Sequence, residues 1–186
     1  METREVVIVG GGAMGASVAW HLRELGVCDV VLLERDSLAA GSTSRSAGGI
    51  RTQFSDELNI RIALRSLGEF EQMDGIELRQ YGYLFLLDRP EDVELFRTAL
   101  ELQRSLGVPS EELDADGARA LVPQLDLDGV LAATYCALDG YCSPESVVQW
   151  YAHGTDVRQG CEVTSIRVEN VSMVFIKRLS RTLRAR

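Results

Sequence analysis

The chain has no long uncharged apolar run, no C-x-x-C pair, no excess of basic residues, and only two histidines, His21 and His153. Each shortage removes a class of function. Without about 20 consecutive apolar residues, nothing reads as a transmembrane segment. Cys28, Cys136, Cys142 and Cys161 are scattered and have no histidine at ligand spacing. Neither a disulfide framework nor a metal site is expected, and buried reduced thiols are. Lys and Arg number 19 against 28 Asp and Glu, a net charge of −9. That balance argues against nucleic acid as a partner, because phosphate affinity needs clustered cations. A small polar substrate or a protein partner stays open. Glu2 and Glu5 stand where a signal peptide would be basic, so the cytoplasm is the expected location. No internal repeat or long low-complexity segment occurs.

What is present is an ordinary globular composition, 46% hydrophobic and 25% charged over 186 residues. Such a length buries one good core, or one domain with a smaller appendage. The informative stretch is VVIVGGGAMGASVAWHLRELGVCDVVLLE, Val6 to Glu34. Val6 to Val9 read as a buried parallel strand, Ala13 to Leu25 as an amphipathic helix stopped by Gly26, and Val30 to Leu33 as a second strand. Gly10, Gly12 and Gly15 fit G-x-G-x-x-G, with Glu34 about twenty positions further on. Gly10 permits a tight turn, Gly12 lets backbone approach a pyrophosphate, and Gly15 brings helix close to strand. The helix N-terminus then offers unpaired N–H groups and partial positive charge. Glu34 accepts hydrogen bonds from ribose hydroxyls and repels a 2′-phosphate. His21 falls within the helix and reads as structural. A purely structural βαβ unit is the bland alternative.

After Glu34, residues 41–51 read GSTSRSAGGIR. A flexible surface loop and a second set of cofactor contacts fit this composition equally. On the second reading Ser42, Ser44 and Ser46 bring hydroxyls, Arg45 a cation, and Gly48-Gly49 room for a flat ring. Ser55-Asp56-Glu57 predicts the start of a helix ending near Met73 and Gly75. Residues 78–87 read as a strand. Pro90 opens a helix that Gly107 stops, 114–121 form a short helix, and 129–137 another strand. This order departs from βαβ alternation and points to an inserted sheet. Ser143 caps, and Pro144 starts, a helix to about His153. Residues 156–158 and 162–168 are expected to return to the parallel sheet. The end, KRLSRTLRAR, has five basic residues and no acid. It is expected to lie outside the fold, disordered or weakly helical, with a membrane- or partner-binding tail as the alternative. The implied organisation is a discontinuous nucleotide-binding domain over 1–75 and 143–170, a partial substrate domain over 76–142, and a tail over 171–186.

Together, VVIVGGGAMGASVAWHL, VVLLERD, GSTSRSAGGIR and LDGYCSPESVVQWYA resemble the N-terminal part of the D-amino-acid oxidase-like FAD-dependent oxidoreductases, in the branch of the sarcosine oxidase β-subunit and glycine oxidase. The resemblance runs from about Arg4 to Asn170. It implies an α/β fold with a Rossmann-like FAD-binding parallel sheet and part of an inserted antiparallel substrate-domain sheet, truncated relative to longer relatives. It also implies FAD, with Gly10, Gly12, Ala13 and Met14 around the pyrophosphate and Glu34 and Arg35 at the adenosine ribose. Ser42, Ser44 and Arg45 would follow the phosphates, Gly48, Gly49 and Ile50 the isoalloxazine, and Val163 the adenine. Arg51 falls where some relatives hold a substrate carboxylate and is the candidate catalytic residue; a phosphate or surface contact is the alternative. Residues 41–51 contain no His or Cys, so covalent attachment there is not expected. The implied reaction is hydride transfer from the CH–NH group of a small amine or amino acid to the flavin, giving an imine that hydrolyses. A non-catalytic FAD-binding subunit with a partner, or an inactive fragment, remains open, and little turnover is expected from this chain alone. A nicotinamide-dependent dehydrogenase is disfavoured, since such a site needs no second cradle after the acid.

Overall fold

The computed structural model describes residues 2–168, 172–176 and 182–185. The chain begins with β1 (Glu2–Arg4), β2 (Val6–Val9), α1 (Ala13–Glu24), β3 (Val30–Leu33), β4 (Gly49–Ile50) and α2 (Glu57–Phe70). It continues through β5 (Tyr83–Leu87), α3 (Pro90–Ser105), β6 (Glu111–Leu113), α4 (Ala115–Leu121), β7 (Ala132–Cys136) and β8 (Gly140–Tyr141). Then come α5 (Pro144–Ala152), β9 (Asp156–Arg158), β10 (Val163–Val168), β11 (Ser172–Ile176) and β12 (Thr182–Ala185). Contacts divide the chain into two units, 1–47 with 143–186, and 48–142. The sequence reading expected the first boundary after residue 75, so α2 changes unit.

In the first unit, β2, β3 and β9 form a parallel sheet with β3 central. Every residue of β3 is buried, as a central parallel strand requires. Its two faces feed different clusters. Val30 and Leu32 pack with Ala19 of α1, Val6, Ile8, Leu22 and Val157. Val31 and Leu33 pack with Cys161, Val7 and Val163. Each such Val or Leu contributes about 1.5–3 kcal/mol by leaving water. Helix α1 packs on α5 through rings: Trp20 lies 5.4 Å from Trp150, and His21 5.9 Å from Tyr151. The His21 Nδ1 sits 2.8 Å from the Ser17 carbonyl, in keeping with a structural role.

An ion-pair cluster ties the strand ends of this unit. Arg158 pairs with Glu2 and Asp156, and Arg4 with Glu2, Asp29 and Asp156. The Arg158 guanidinium, helped by Arg4, pulls the Glu2 carboxyl down to about 2.

Two expectations change here. Residues 163–168 do not join the parallel sheet. β10 instead pairs antiparallel with β11 in a four-stranded sheet of order β1-β12-β11-β10. The chain turns at Gly160, whose φ of +67° suits glycine, and the Cys161 N–H bonds the Glu34 carbonyl before the strand departs. Within the tail, 172–176 and 182–185 are strands rather than disordered or helical, as their β-branched and apolar residues favour. Residues 169–171, 177–181 and 186, which hold four of the tail's basic side chains, lie outside the described residues.

In the second unit, β5, β7 and β6 form an antiparallel sheet of order β5-β7-β6. Asp56 caps α2 through the Asn59 N–H, and Pro90 starts α3. Ile60, Val108 and Cys136 form one core cluster with Phe54 and Leu64; Leu87, Val93 and Ala132 form another with Phe85 and Phe96. The strand expected over 78–87 is shorter. Gly82, at φ +85°, breaks it, and only Tyr83–Leu87 enters the sheet. Two short pieces escaped the sequence reading: β6, and the two-residue pair β4–β8, with Ile50 opposite Gly140. Among the described residues no helix is long and apolar enough to cross a membrane.

Candidate functional site

The glycine turn of the first unit is built from backbone. Gly10 has φ +108°, and its N–H extends the ladder to the Leu33 carbonyl at 2.8 Å. A Cβ on Gly15 would lie 1.9 Å from the Gly10 carbonyl oxygen, so helix and strand approach as closely as only glycine allows. Gly11, outside the motif's fixed positions, is equally constrained: its Cβ would stand 2.7 Å from the Leu38 side chain. The Gly11 carbonyl accepts from the Ala39 N–H at 2.8 Å, and Ala39 is buried at φ +65°. A non-glycine residue held there marks a turn that its surroundings over-determine.

The first turn of a helix leaves four N–H groups without intrahelical partners. At α1, Gly12 is the N-cap with no side-chain cap. The Ala13 N–H donates to the Thr43 Oγ1 at 3.2 Å. Among the described residues, the N–H groups of Gly12 and Met14 have no protein acceptor. The turn is therefore partly capped and partly open. Thr43 was not singled out from the sequence; its role depends on loop conformation.

Glu34, at the end of β3, reaches back to the same turn. Its Oε2 accepts from the Gly11 N–H at 2.7 Å and its Oε1 from the Asp36 N–H at 2.8 Å. A carboxylate has about four acceptor positions, so two remain for hydroxyl donors. Two hollows meet at this acid. One, of about 540 Å³, is lined by Gly12, Glu34, Arg35, Ser42, Thr43 and Arg45. The other, of about 200 Å³, is lined by Gly10, Glu34, Arg35, Cys161 and Val163. Most of the candidate cofactor residues of this unit thus converge. Ser44 does not: its hydroxyl donates to the Gly41 carbonyl. The Met14 side chain is 80% exposed, leaving its backbone as the functional part. Arg35 pairs with Asp36 at the surface, while no acid pairs with Arg45 among the described residues.

These groups fit a dinucleotide. Open amides at a helix N-terminus and the Arg45 cation suit a diphosphate, and an acid with spare acceptors suits a ribose.

The remaining candidates, Gly48, Gly49, Ile50 and Arg51, belong to the second unit. Gly48 has φ +69°, and its carbonyl accepts from the Cys142 N–H. Gly49 and Ile50 form β4 against Tyr141 and Gly140. Arg51 is unusual. Its Nε is buried with no hydrogen-bond partner, and its Cζ lies 4.6 Å from the Phe54 ring centroid and 5.4 Å from that of Phe85. It lines a cavity of about 480 Å³ with Phe54, Asn59, Ile62, Phe70 and Tyr83. A guanidinium with a buried, unpartnered Nε beside aromatic faces, and without an acidic partner among the described residues, suits an anionic ligand.

Comparison with known proteins places this arrangement. Residues 5–184 match the family described as "FAD dependent oxidoreductase" (DAO). Mitochondrial dimethylglycine dehydrogenase of Rattus norvegicus is 33% identical over 156 residues, covering 81% of this chain and 18% of that protein. The mitochondrial pyruvate dehydrogenase phosphatase regulatory subunit of Mus musculus is 34% identical over 152 residues, covering 77% and 17%. L-proline dehydrogenase from P. horikoshii superimposes with a TM-score of 0.91 at 31% identity, covering 99% of this chain and 51% of that one. The chain therefore spans about half of that solved structure and less than a fifth of these two curated relatives. With its glycine turn, returning acid and α/β fold, the chain belongs to the DAO family of FAD-dependent oxidoreductases.

Proposed function

We propose that this chain binds FAD non-covalently and serves the oxidation of the CH–NH group of a small amine or amino acid. The carrying observation is the open Gly12 and Met14 amides at a hollow where Glu34 keeps unused acceptor positions. Gly12 and Met14 hold the diphosphate through their N–H groups at a turn that Gly10 shapes, joined by Ser42, Thr43 and Arg45; Glu34 takes the ribose, and Val163 borders the adenine hollow. Ala13 contributes through the α1 dipole, since its N–H is taken by Thr43. Gly48 and Gly49 supply backbone without side chains for the isoalloxazine, and Ile50 follows them with its backbone. Bound FAD supplies a two-electron acceptor. Arg51 holds a substrate carboxylate and orients the amine carbon, and its aromatic surroundings exclude water.

The test is to titrate the purified chain with FAD, following the visible absorption band and flavin fluorescence, with gel filtration to check co-elution. A shifted band and retained flavin are expected; a free-flavin spectrum with no retention refutes the reading. A second reading, a flavin-binding subunit without turnover, is favoured by the likeness to a protein named as a regulatory subunit. FAD retention with no reduction of the flavin by any secondary or primary amino acid tried would select it.

A further inference from the structure

We propose that Asp139 is a positioning residue for Arg51, a buried carboxylate that fixes the backbone just after the guanidinium, while its neighbour Gly140 pairs the residue before it, and so aims it into the cavity. The inference rests on the reading of Arg51 as the residue that takes a carboxylate ligand.

Asp139 is 0% exposed and makes no ion pair with a described residue. Burying a carboxylate costs several kcal/mol unless its oxygens are well bonded. Here they are. Oδ1 accepts from the Thr52 N–H at 2.7 Å and from the Thr52 hydroxyl at 2.5 Å, and Oδ2 accepts from the Gln53 Nε2 at 3.1 Å. The Gln53 amide is fixed in turn. Its Nε2 also donates to the Tyr83 carbonyl at 2.9 Å, and its Oε1 accepts from the Thr134 hydroxyl at 3.1 Å. Since the Thr52 proton goes to Asp139, the Cys136 thiol 3.5 Å away is the donor to Thr52 Oγ1. The network is continuous from β7 to the segment following β4.

Arg51 stands between two anchors that come from one dipeptide. On one side Ile50 is paired with Gly140. On the other Thr52 is held through backbone and side chain by Asp139. Gly140 must be glycine for this, because a Cβ there would lie 1.9 Å from the Arg79 carbonyl oxygen. Thr52 and Gln53 point inward, at 0% and 6% exposure, while Arg51 before them borders the cavity, as Ile50 does. Nothing in this arrangement bonds the guanidinium itself. Three polar groups and a charge are buried to hold the flanks of one arginine whose Nε has no partner.

The test uses the full chain with nitrogen-15-labelled arginine, benzoate as the carboxylate probe and benzamide as the neutral control. In the unsubstituted protein the Arg51 Nε–H resonance is expected to be protected from solvent exchange and to shift with benzoate, not with benzamide. Asp139→Asn keeps the volume but sets an amide donor against the donors of Thr52 or Gln53. It is expected to lower Arg51 Nε–H protection and weaken benzoate about tenfold, with ADP binding to the first unit unchanged within about twofold. Thr52→Val, which removes one of the two Oδ1 donors, is expected to weaken benzoate about threefold. In an Arg51→Ala background, Asp139→Asn adds no further loss. The proposal is overturned if folded Asp139→Asn leaves the Arg51 resonance and benzoate affinity unchanged, or if the loss persists without Arg51. Should Asp139→Asn fail to fold, an unchanged Arg51 resonance in Thr52→Val overturns it instead. If benzoate never binds but the substitutions still alter the Arg51 resonance, the ligand reading falls and the positioning role stands.

Discussion

The two units build their candidate sites by opposite means. Around the glycine turn of the first, the contacts are backbone amides and one acid, drawn mostly from residues close in sequence. Around Arg51 in the second, the contacts are side chains assembled from residues 51–54, 83–85 and 134–139. A backbone site tolerates few substitutions because the missing Cβ is the feature. A side-chain site depends instead on partners far along the chain.

Four changes test that contrast. The largest effect is expected from Gly15→Val, which places side-chain atoms against the Gly10 carbonyl. Overpacking of this kind costs about 3 kcal/mol, and the thermal midpoint should fall by about 10 °C with loss of FAD binding. A variant that melts like the unsubstituted protein would show that the turn relaxes. Next is Glu34→Gln. Two backbone N–H donors flank the carboxylate, and an amide offers an acceptor to only one of them. FAD affinity is expected to drop about thirtyfold, close to 2 kcal/mol. Equal FAD titration curves would remove Glu34 from the ribose site. Arg45→Ala should weaken FAD about threefold to fivefold and flatten the salt dependence, as fits an exposed cation on a phosphate. Unchanged salt dependence would move Arg45 off the diphosphate.

The smallest effect concerns pH. The folded-state value of Glu2 lies below its usual value of 4.5, at about 2. Its stabilisation is therefore complete above about pH 4.5 and lost as pH falls toward 2. Glu2→Gln should remove that acid-limb slope from the stability of the first unit and lower its stability above about pH 4.5, by about 1 kcal/mol for a part-exposed pair, leaving the two proteins alike near pH 2. Identical acid unfolding curves for the two proteins would deny the Arg158–Glu2 pair this role.

What the sequence revealed follows the same contrast. The turn, α1, β3 and Glu34 were legible because local spacing alone demands glycine at Gly10 and Gly15 and an acid at the strand end. Ser143 and Pro144 announced α5 for the same reason. Thr43 was hidden because its hydroxyl matters only once the loop folds back on α1. Asp139 was hidden more deeply: an acid before a glycine reads as a solvated turn, and only tertiary packing encloses it. β4 and β8 are two residues each, too short for any alternation to show. β10 had the right composition but the wrong destination, since strand propensity does not say which sheet a strand joins.

The all-apolar character of β3 has one more consequence. A strand with one polar face resists slippage, because moving by a single residue would drown its apolar side. Val30, Val31, Leu32 and Leu33 give no such protection, since exchanging the two faces swaps like for like. The acid that follows them does give it. Shifted by one position, Glu34 would lose the Gly11 amide and point its charge away from the turn. The same carboxylate proposed to hold the nucleotide sugar therefore also keeps count along the strand, so deletions or insertions between Gly26 and Val30 should be tolerated far less than the bland composition of that link suggests.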